Sequence, residues 1–287
     1  MTETGSTNER YTKLSADSET VIDVIELSQA MTAKGIEEGL FEPIDLSKIE
    51  NSQYLIGAAK TMAEAGQGVA YTINSIGIMY NPEAVGFEIK SFDDLWDARL
   101  EGRIAIPDIT TTFGPAMVYM ASDYKGADVT ADQGAAAFEA LKELKPNIVK
   151  TYAKSSDLIN MFTSGEIEAA IVGDFGVPTI QAADPSLVYV TPDVTYANFN
   201  TISITKNSKN KELAYEYINY RLSRELQTKT GKALNEAPTN NQVAFTEEES
   251  ANMTYGDAAE NAKVIDYSFV NPILGEWIDQ WNRIINS

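Results

Sequence analysis

Hydroxyls and carboxylates gather where strand-like runs hand over to helix-like ones. Thr110, Thr111 and Thr112 stand between the strand-like IAIPD and a helix opening at Phe113-Gly114. Three hydroxyls beside the free N–H groups of a first helical turn suit an anionic or strongly polar ligand group. Ser155, Ser156 and Asp157 open another helix, and Asp174 follows the strand-like AAIV through Gly173. Carboxylates so placed suit a cation instead. Ser28 ends the apolar run VIDVIEL and begins the next helix. Such a serine either caps the helix or offers its hydroxyl to a ligand at the carboxyl edge of a sheet. Thr72, Asn74 and Ser75 interrupt the long apolar run VAYTINSIGIMY. Polar groups midway along a buried strand are poor core choices, so a cleft position fits them better. Asn198 and Asn200 stand just before a further strand, Thr201 to Thr205. For the serines and threonines at helix starts, plain capping is the competing reading.

Composition removes most other chemistries. The 287 residues hold 22 basic and 42 acidic side chains, a formal net charge of −20. That field repels phosphate backbones, so no nucleic-acid partner is expected. There is no His and no Cys, which removes imidazole catalysis, thiol nucleophiles, disulfides and the metal sites built from either. Tyr215 and Tyr217 fall on opposite sides of a helix, and Tyr196 alone cannot hold iron, so neither a metal nor a cofactor is expected. Asp157 and Asp174 make a carboxylate pair that could do acid–base work. Without a nucleophile elbow or Gly-rich phosphate loop, however, an enzyme is the secondary reading.

These residues need a scaffold of alternating strands and helices, which argues for α/β architecture with mostly parallel sheets. Strands are expected at Val21 to Leu27, Val69 to Tyr80, Arg103 to Ile106, Ile167 to Val172, Ser186 to Val190 and Thr201 to Thr205. Helices are expected at Gln29 to Glu38, Phe113 to Ser122, Asp132 to Leu144, Ser156 to Phe162, Lys211 to Leu226 and Ile273 to Ile285. Leu213, Tyr217, Ile218 and Leu222 should form the buried face of the Lys211 helix, and Trp277 and Trp281 that of the tail. Ser91 with Asp94 approximates a capping box. No apolar run approaches the ~20 residues that cross a bilayer.

Several stretches together carry a family resemblance: the Ser28 strand end, GIMYN (Gly77 to Asn81), SFDDLWDARLEGRIAIPD (Ser91 to Asp108), SGEIEAAIVGD (Ser164 to Asp174) and ITKNSKNKELAYEYINYRLSRELQ (Ile204 to Gln227). In order and spacing the chain resembles the extracytoplasmic solute-binding proteins of ABC importers, in the branch of polyamine, ferric-iron and phosphonate binders. The resemblance implies a two-lobed, type II periplasmic-binding-protein-like α/β fold with hinge crossovers. Lobe I would comprise residues 1–73 and 201–287 with the C-terminal helix, and lobe II residues 74–200. It implies a monomeric receptor outside the cytoplasm, in a periplasm or lipid-anchored at the cell surface. Such a receptor traps a small solute by lobe closure and passes it to a membrane permease. Ser28, Thr72, Asn74, Ser75, Thr110 to Thr112, Ser155 to Asp157, Asp174, Asn198 and Asn200 would line the site. Polyamine binders carry a tryptophan and an aspartate where this chain has Asn198 and Asn200, so a diamine loses both its stacking platform and its counter-charge. A polyamine-like cation, a phosphonate and an organic anion stay open as solutes, and a sensor domain on the same fold is a further alternative. Relatives also begin with a strand and helix ahead of Thr4 to Leu14, roughly thirty residues by a comparison of lengths. An N-terminal truncation or misplaced start is therefore expected, and no export signal follows Met1.

Overall fold

The computed structural model describes residues 5–16 and 22–286. Val21, where the first strand was expected to start, lies outside the described residues, as do Thr2 to Thr4. The strands are β1 (Val24–Ser28), β2 (Val69–Tyr80), β3 (Ile104–Pro107), β4 (Ile148–Tyr152), β5 (Ala169–Gly173), β6 (Val188–Val190), β7 (Tyr196–Ile204), β8 (Ala237–Pro238) and β9 (Lys263–Val264). The chain divides into two units, residues 1–74 with 198–255, and residues 75–197 with 256–287. It passes between them inside β2, inside β7 and after Tyr255.

In unit 1, β7 lies between β1 and β2, and β8 pairs with β2. The β1–β7 register sets Ser28 against Asn200 and Leu27 against Thr201. Under this sheet Thr32 and Thr201 share a buried hydroxyl–hydroxyl bond of 2.6 Å. Gly68, at φ +104°, lets the chain pass there, since a Cβ would stand 2.9 Å from the Thr32 methyl. The helix Thr7–Ala16 covers β1: Arg10 Nε donates to Glu26 O (2.8 Å), and Thr7 Oγ1 accepts from Ser28 N (2.9 Å). These are hydrogen bonds of the kind a neighbouring strand would make. The single helix expected from Lys211 to Leu226 is two, Lys211–Arg221 and Arg224–Leu234, with the Ser223 hydroxyl capping the second through Leu226 N. The buried face of the first runs through Ala214, Tyr215, Ile218 and Arg221; of the four residues expected there Ile218 and Leu222 are buried, while Leu213 and Tyr217 are exposed at 64% and 46%. An arginine on the buried face hid the true stripe from a reading by apolar residues alone.

In unit 2, β5 lies between β2 and β3, β4 flanks β3, and β6 pairs with β2. Strand β4 was not anticipated, because IVKTY follows directly on Pro146-Asn147, read only as a helix stop. The sheets are mixed where mostly parallel ones were expected. β3 runs parallel to β4 and β5, but β2 runs antiparallel to β5, β6 and β8, and β1 to β7. The tail also departs from expectation. Residues 256–287 were assigned to the first lobe, yet the helix Tyr267–Ile284 packs on the helix Ala135–Leu144 of unit 2. Residues 198–200 likewise fall in unit 1, not with residues 74–197.

The approach to the helix Gly114–Tyr124 is tight. A Cβ on Gly114 would lie 2.3 Å from Ile109 O and 2.4 Å from Asp108 O, both main-chain atoms that cannot swing aside. Gly114→Ala is therefore expected to cost about 1–3 kcal/mol, the usual range for overpacking. Urea denaturation measures it, and a change below about 0.5 kcal/mol, the scale of a neutral surface substitution, would contradict this account. Among the described residues no helix is long and apolar enough to cross a membrane.

Candidate functional site

In unit 2 the three parallel strands β3, β4 and β5 end at one edge, where open α/β sheets bind ligands. The chain leaves β3 through Asp108, whose Oδ1 accepts from Thr110 N (3.0 Å) and from the Thr110 hydroxyl (2.6 Å). The Thr111 hydroxyl donates to Asp108 O at 2.7 Å, and Thr112 O accepts from the Tyr267 hydroxyl. Two of the three threonine hydroxyls are thus committed to Asp108. That weakens the case for an anion held by this triplet.

The chain leaves β4 into the helix Ser155–Thr163, where the exposed Asp157 carboxylate accepts from Lys154 N at 3.3 Å. Asp157 borders an open hollow of about 330 Å³, lined also by Thr151, Tyr152, Asn160, Met161 and the ion-paired Lys150 and Glu166. Ser156 is exposed beside it, and Ser155 turns toward the exit of β5: a Cβ on Gly176 would lie 3.0 Å from Ser155 Oγ. Asp174 is the first residue after β5, 1% exposed, with Oδ1 accepting from Phe175 N (2.8 Å). Ser75 precedes Ile76, which pairs with Gly173, so it sits at this same end of β2.

Three groups here were not anticipated. Phe175 is 49% exposed and stacks on Phe113, ring centroids 6.1 Å apart and 16° between planes. Gly173 makes room for both rings, since a Cβ would lie 2.7 Å from each. Asp108 organises the threonines. The Tyr189 hydroxyl lies against Gly77; burial pushes its pKa well above the ordinary value, and the charge of Asp174 adds to the shift. The signal for Phe175 was available, an aromatic directly after the acid in Gly173-Asp174-Phe175-Gly176.

Unit 1 gathers a second polar group, made of a hydroxyl and amides. Ser28 stands at the helix start as expected, but its hydroxyl makes no cap bond; it lies 3.5 Å from the Thr7 hydroxyl. Asn200 faces it in register and directs Nδ2 toward Asn74 Oδ1 at 3.4 Å. Gln29 Oε1 accepts from Phe199 N at 3.1 Å. Asn198 is 2% exposed, and its Nδ2 has no hydrogen-bond partner among the described residues. Both asparagines lie inside β7 and not ahead of a strand, because β7 begins five residues earlier than the apolar pattern suggests. Thr72 stays outside this group, its hydroxyl donating to Ala237 O at 2.7 Å across the β2–β8 pair. Among the described residues no group of three acids is arranged to hold a metal ion.

With this geometry in view, three comparisons bear on the chain. The family described as bacterial extracellular solute-binding protein matches residues 2–255. A spermidine/putrescine-binding periplasmic protein of Salmonella typhimurium is 26% identical over 218 residues, 74% of this chain and 62% of that protein. The chain thus spans about three-fifths of the length of the curated relatives it matches. A crystal structure of an ABC transporter from Clostridium perfringens is 53% identical with a TM-score of 0.94, covering 99% of this chain and 90% of that one. A Streptococcus pneumoniae spermidine/putrescine substrate-binding protein, 21% identical with a TM-score of 0.81 over 98% of this chain and 88% of its own, shares the fold.

Proposed function

The chain belongs to the bacterial extracellular solute-binding protein family, and from that premise we propose that it is the receptor of an ABC uptake system for a small ammonium-bearing solute. It acts outside the cytoplasm as a monomer, binds without chemical turnover, and delivers the solute to a membrane permease. The observation carrying the choice of a cation is the edge of unit 2. There the exposed Asp157 carboxylate follows β4, and the buried Asp174 and the exposed Phe175 ring follow β5, while the Thr110 and Thr111 hydroxyls that would have favoured an anion are spent on Asp108. An ammonium gains from a nearby carboxylate and from the face of an aromatic ring. The net charge of −20 concentrates cations near the protein. The curated relatives are spermidine- and putrescine-binding proteins by name, which agrees with an amine.

The test is calorimetric titration with putrescine, spermidine and 4-aminobutyrate, with methylphosphonate as the anionic comparison. At least one amine is expected to bind, to be recovered unchanged, and to raise the unfolding free energy by ~2.7 kcal/mol when present at 100 times its Kd. Phe175→Ala is expected to weaken that binding about 3- to 30-fold, the loss of one cation–π contact partly shielded from water. Binding of methylphosphonate with no heat from any amine would overturn the choice of a cation, and unchanged affinity in Phe175→Ala would remove the ring from the site.

A further inference from the structure

We propose that the groove between β4 and the helix Ser155–Thr163 takes an extended, cationic segment of a partner protein as an added strand beside β4. The observation that carries it is the lining of the hollow in unit 2. Consecutive residues Lys150 to Ala153 form one side, Asp157, Asn160 and Met161 on one face of the helix form the other, and Glu166 stands just past the helix end. β4 is the last strand of its sheet and pairs with β3 and no other strand among the described residues. Asp108 N donates to Tyr152 O at 2.9 Å, so Tyr152 turns its main chain toward β3. Main-chain groups of successive strand residues point to opposite edges, so Thr151 turns its N–H and C=O to the open side. Unpaired main-chain groups beside a groove bind peptides by strand addition: the main chain supplies affinity, and the groove reads alternate side chains.

Charge selects the kind of strand. A lysine on an edge ordinarily guards it against a further strand. Here Glu166 lies 2.9 Å from Lys150 and compensates it. Asp157 has no ion-pair partner among the described residues, and its carboxylate accepts only from Lys154 N at 3.3 Å. The groove therefore carries one uncompensated negative charge, in a protein of net charge −20. A lysine or arginine on the incoming strand meets Asp157 favourably, and an acidic side chain is repelled. The stretch from Lys150 to Ala153 spans roughly 10 Å, room for about three to four residues of the partner. This surface is independent of the solute, although Asp157 is common to the groove and to the solute edge, so the test is made without amine.

Random heptapeptides displayed on phage are selected on the full chain. Enrichment is expected for sequences with a lysine or arginine at one fixed position and few acids. The best of them, synthesised as a free peptide, is expected at saturation to slow exchange of the Thr151 amide hydrogen at least ~10-fold by NMR, because that N–H gains an acceptor. N-methylation of one alternate set of its N–H groups should weaken binding at least ~10-fold, the loss of about two main-chain hydrogen bonds, and methylation of the other set much less. Asp157→Lys should weaken binding about 3- to 10-fold, an exposed attraction replaced by a repulsion. No enrichment, or enrichment of acidic sequences, overturns the inference. Binding that leaves Thr151 exchange unchanged, or that tolerates both methylated sets equally, overturns strand addition. Undiminished binding to folded Asp157→Lys overturns the cationic partner. Amine titration reads the ammonium receptor separately, so neither failure is mistaken for the other.

Discussion

Arg221→Met is expected to lower the unfolding free energy of unit 1 by about 3 kcal/mol, toward the lower end of the range for breaking a buried ion pair. The guanidinium side chain is only 8% exposed and joins three elements of the unit. Nη2 donates to both carboxylate oxygens of Glu236 (2.9 and 3.0 Å), Nε donates to Glu26 on β1 at 3.2 Å, and the group lies 3.9 Å from the centre of the Tyr71 ring on β2. Burial opposes the charge, but Glu236 and Glu26 hold the guanidinium pKa above its ordinary value. Methionine keeps much of the volume and removes the cation, leaving two carboxylates without their partner. Two facts hold the loss near the lower end. The Glu26 and Glu236 side chains keep 30% and 23% of their exposure, so water takes up part of the charge, and Nη1 is already buried without a partner. Arg221→Lys should also lose stability, because an ammonium cannot make the two-pronged contact or lie flat on the ring. All three tryptophans, Trp96, Trp277 and Trp281, belong to unit 2. Hydrogen exchange in peptides covering β1 and the 198–204 part of β7 is therefore the direct readout, and indole fluorescence is the internal comparison. A triple variant with Glu26→Gln and Glu236→Gln should recover part of the loss; exchange in these peptides no faster than wild type would contradict the network's role.

The same arginine shows why the sequence was legible in some places and not in others. Where a run is buried on both faces, as in Val69–Tyr80, apolar content alone marks the strand, and its ends match the observed ones. Where a buried face contains a charge, the apolar pattern misleads. Of the stripe expected on the Lys211 helix, Ile218 and Leu222 are buried but Leu213 and Tyr217 are exposed, while Arg221, buried through its partners, does not count as apolar. The tail helix was read correctly as amphipathic but placed in the wrong unit, since periodicity names a buried face without saying what it packs against.

The candidate residues divide on similar lines. Thr110, Thr111 and Thr112 were picked for their hydroxyls, yet their role depends on Asp108, which opens an Asx-type turn that a scan for free donors does not see. Thr72 looked misplaced in a strand until its bond to Ala237 supplied a structural reason. Asn74, Asn198, Asn200 and Ser28 do come together, and what joins them is the β1–β7 register together with β2, long-range information that no local window contains. Phe175 owes its place to the stacking with Phe113 over Gly173, a contact between residues about sixty positions apart.

Trp277→Ala is expected to destabilise unit 2 by ~3–5 kcal/mol, the usual cost of emptying a buried indole site. The ring is 1% exposed and takes edge contacts from Tyr119, Phe138 and Phe269 at centroid distances of 6.1–6.4 Å, so it joins the tail helix to the two helices beneath it. Its Nε1 donates to Gln133 O at 2.8 Å. That carbonyl is presented by a left-handed stretch, Gln133 at φ +56° and Gly134 at +87°, and a Cβ on Gly134 would lie 3.1 Å from the indole nitrogen. Trp281, one turn later and fully buried, offers a control, because its Nε1 has no partner among the described residues. Phenylalanine at either position keeps an aromatic ring and removes the N–H. At 277 it also strands the Gln133 carbonyl; at 281 it removes a donor that was never satisfied. Trp277→Phe should therefore cost about 1–2 kcal/mol more than Trp281→Phe, since losing one partner of a buried hydrogen bond leaves the other desolvated. Urea denaturation followed by the remaining tryptophans measures both. Equal losses in the two variants would show that the Gln133 bond contributes nothing beyond ring packing.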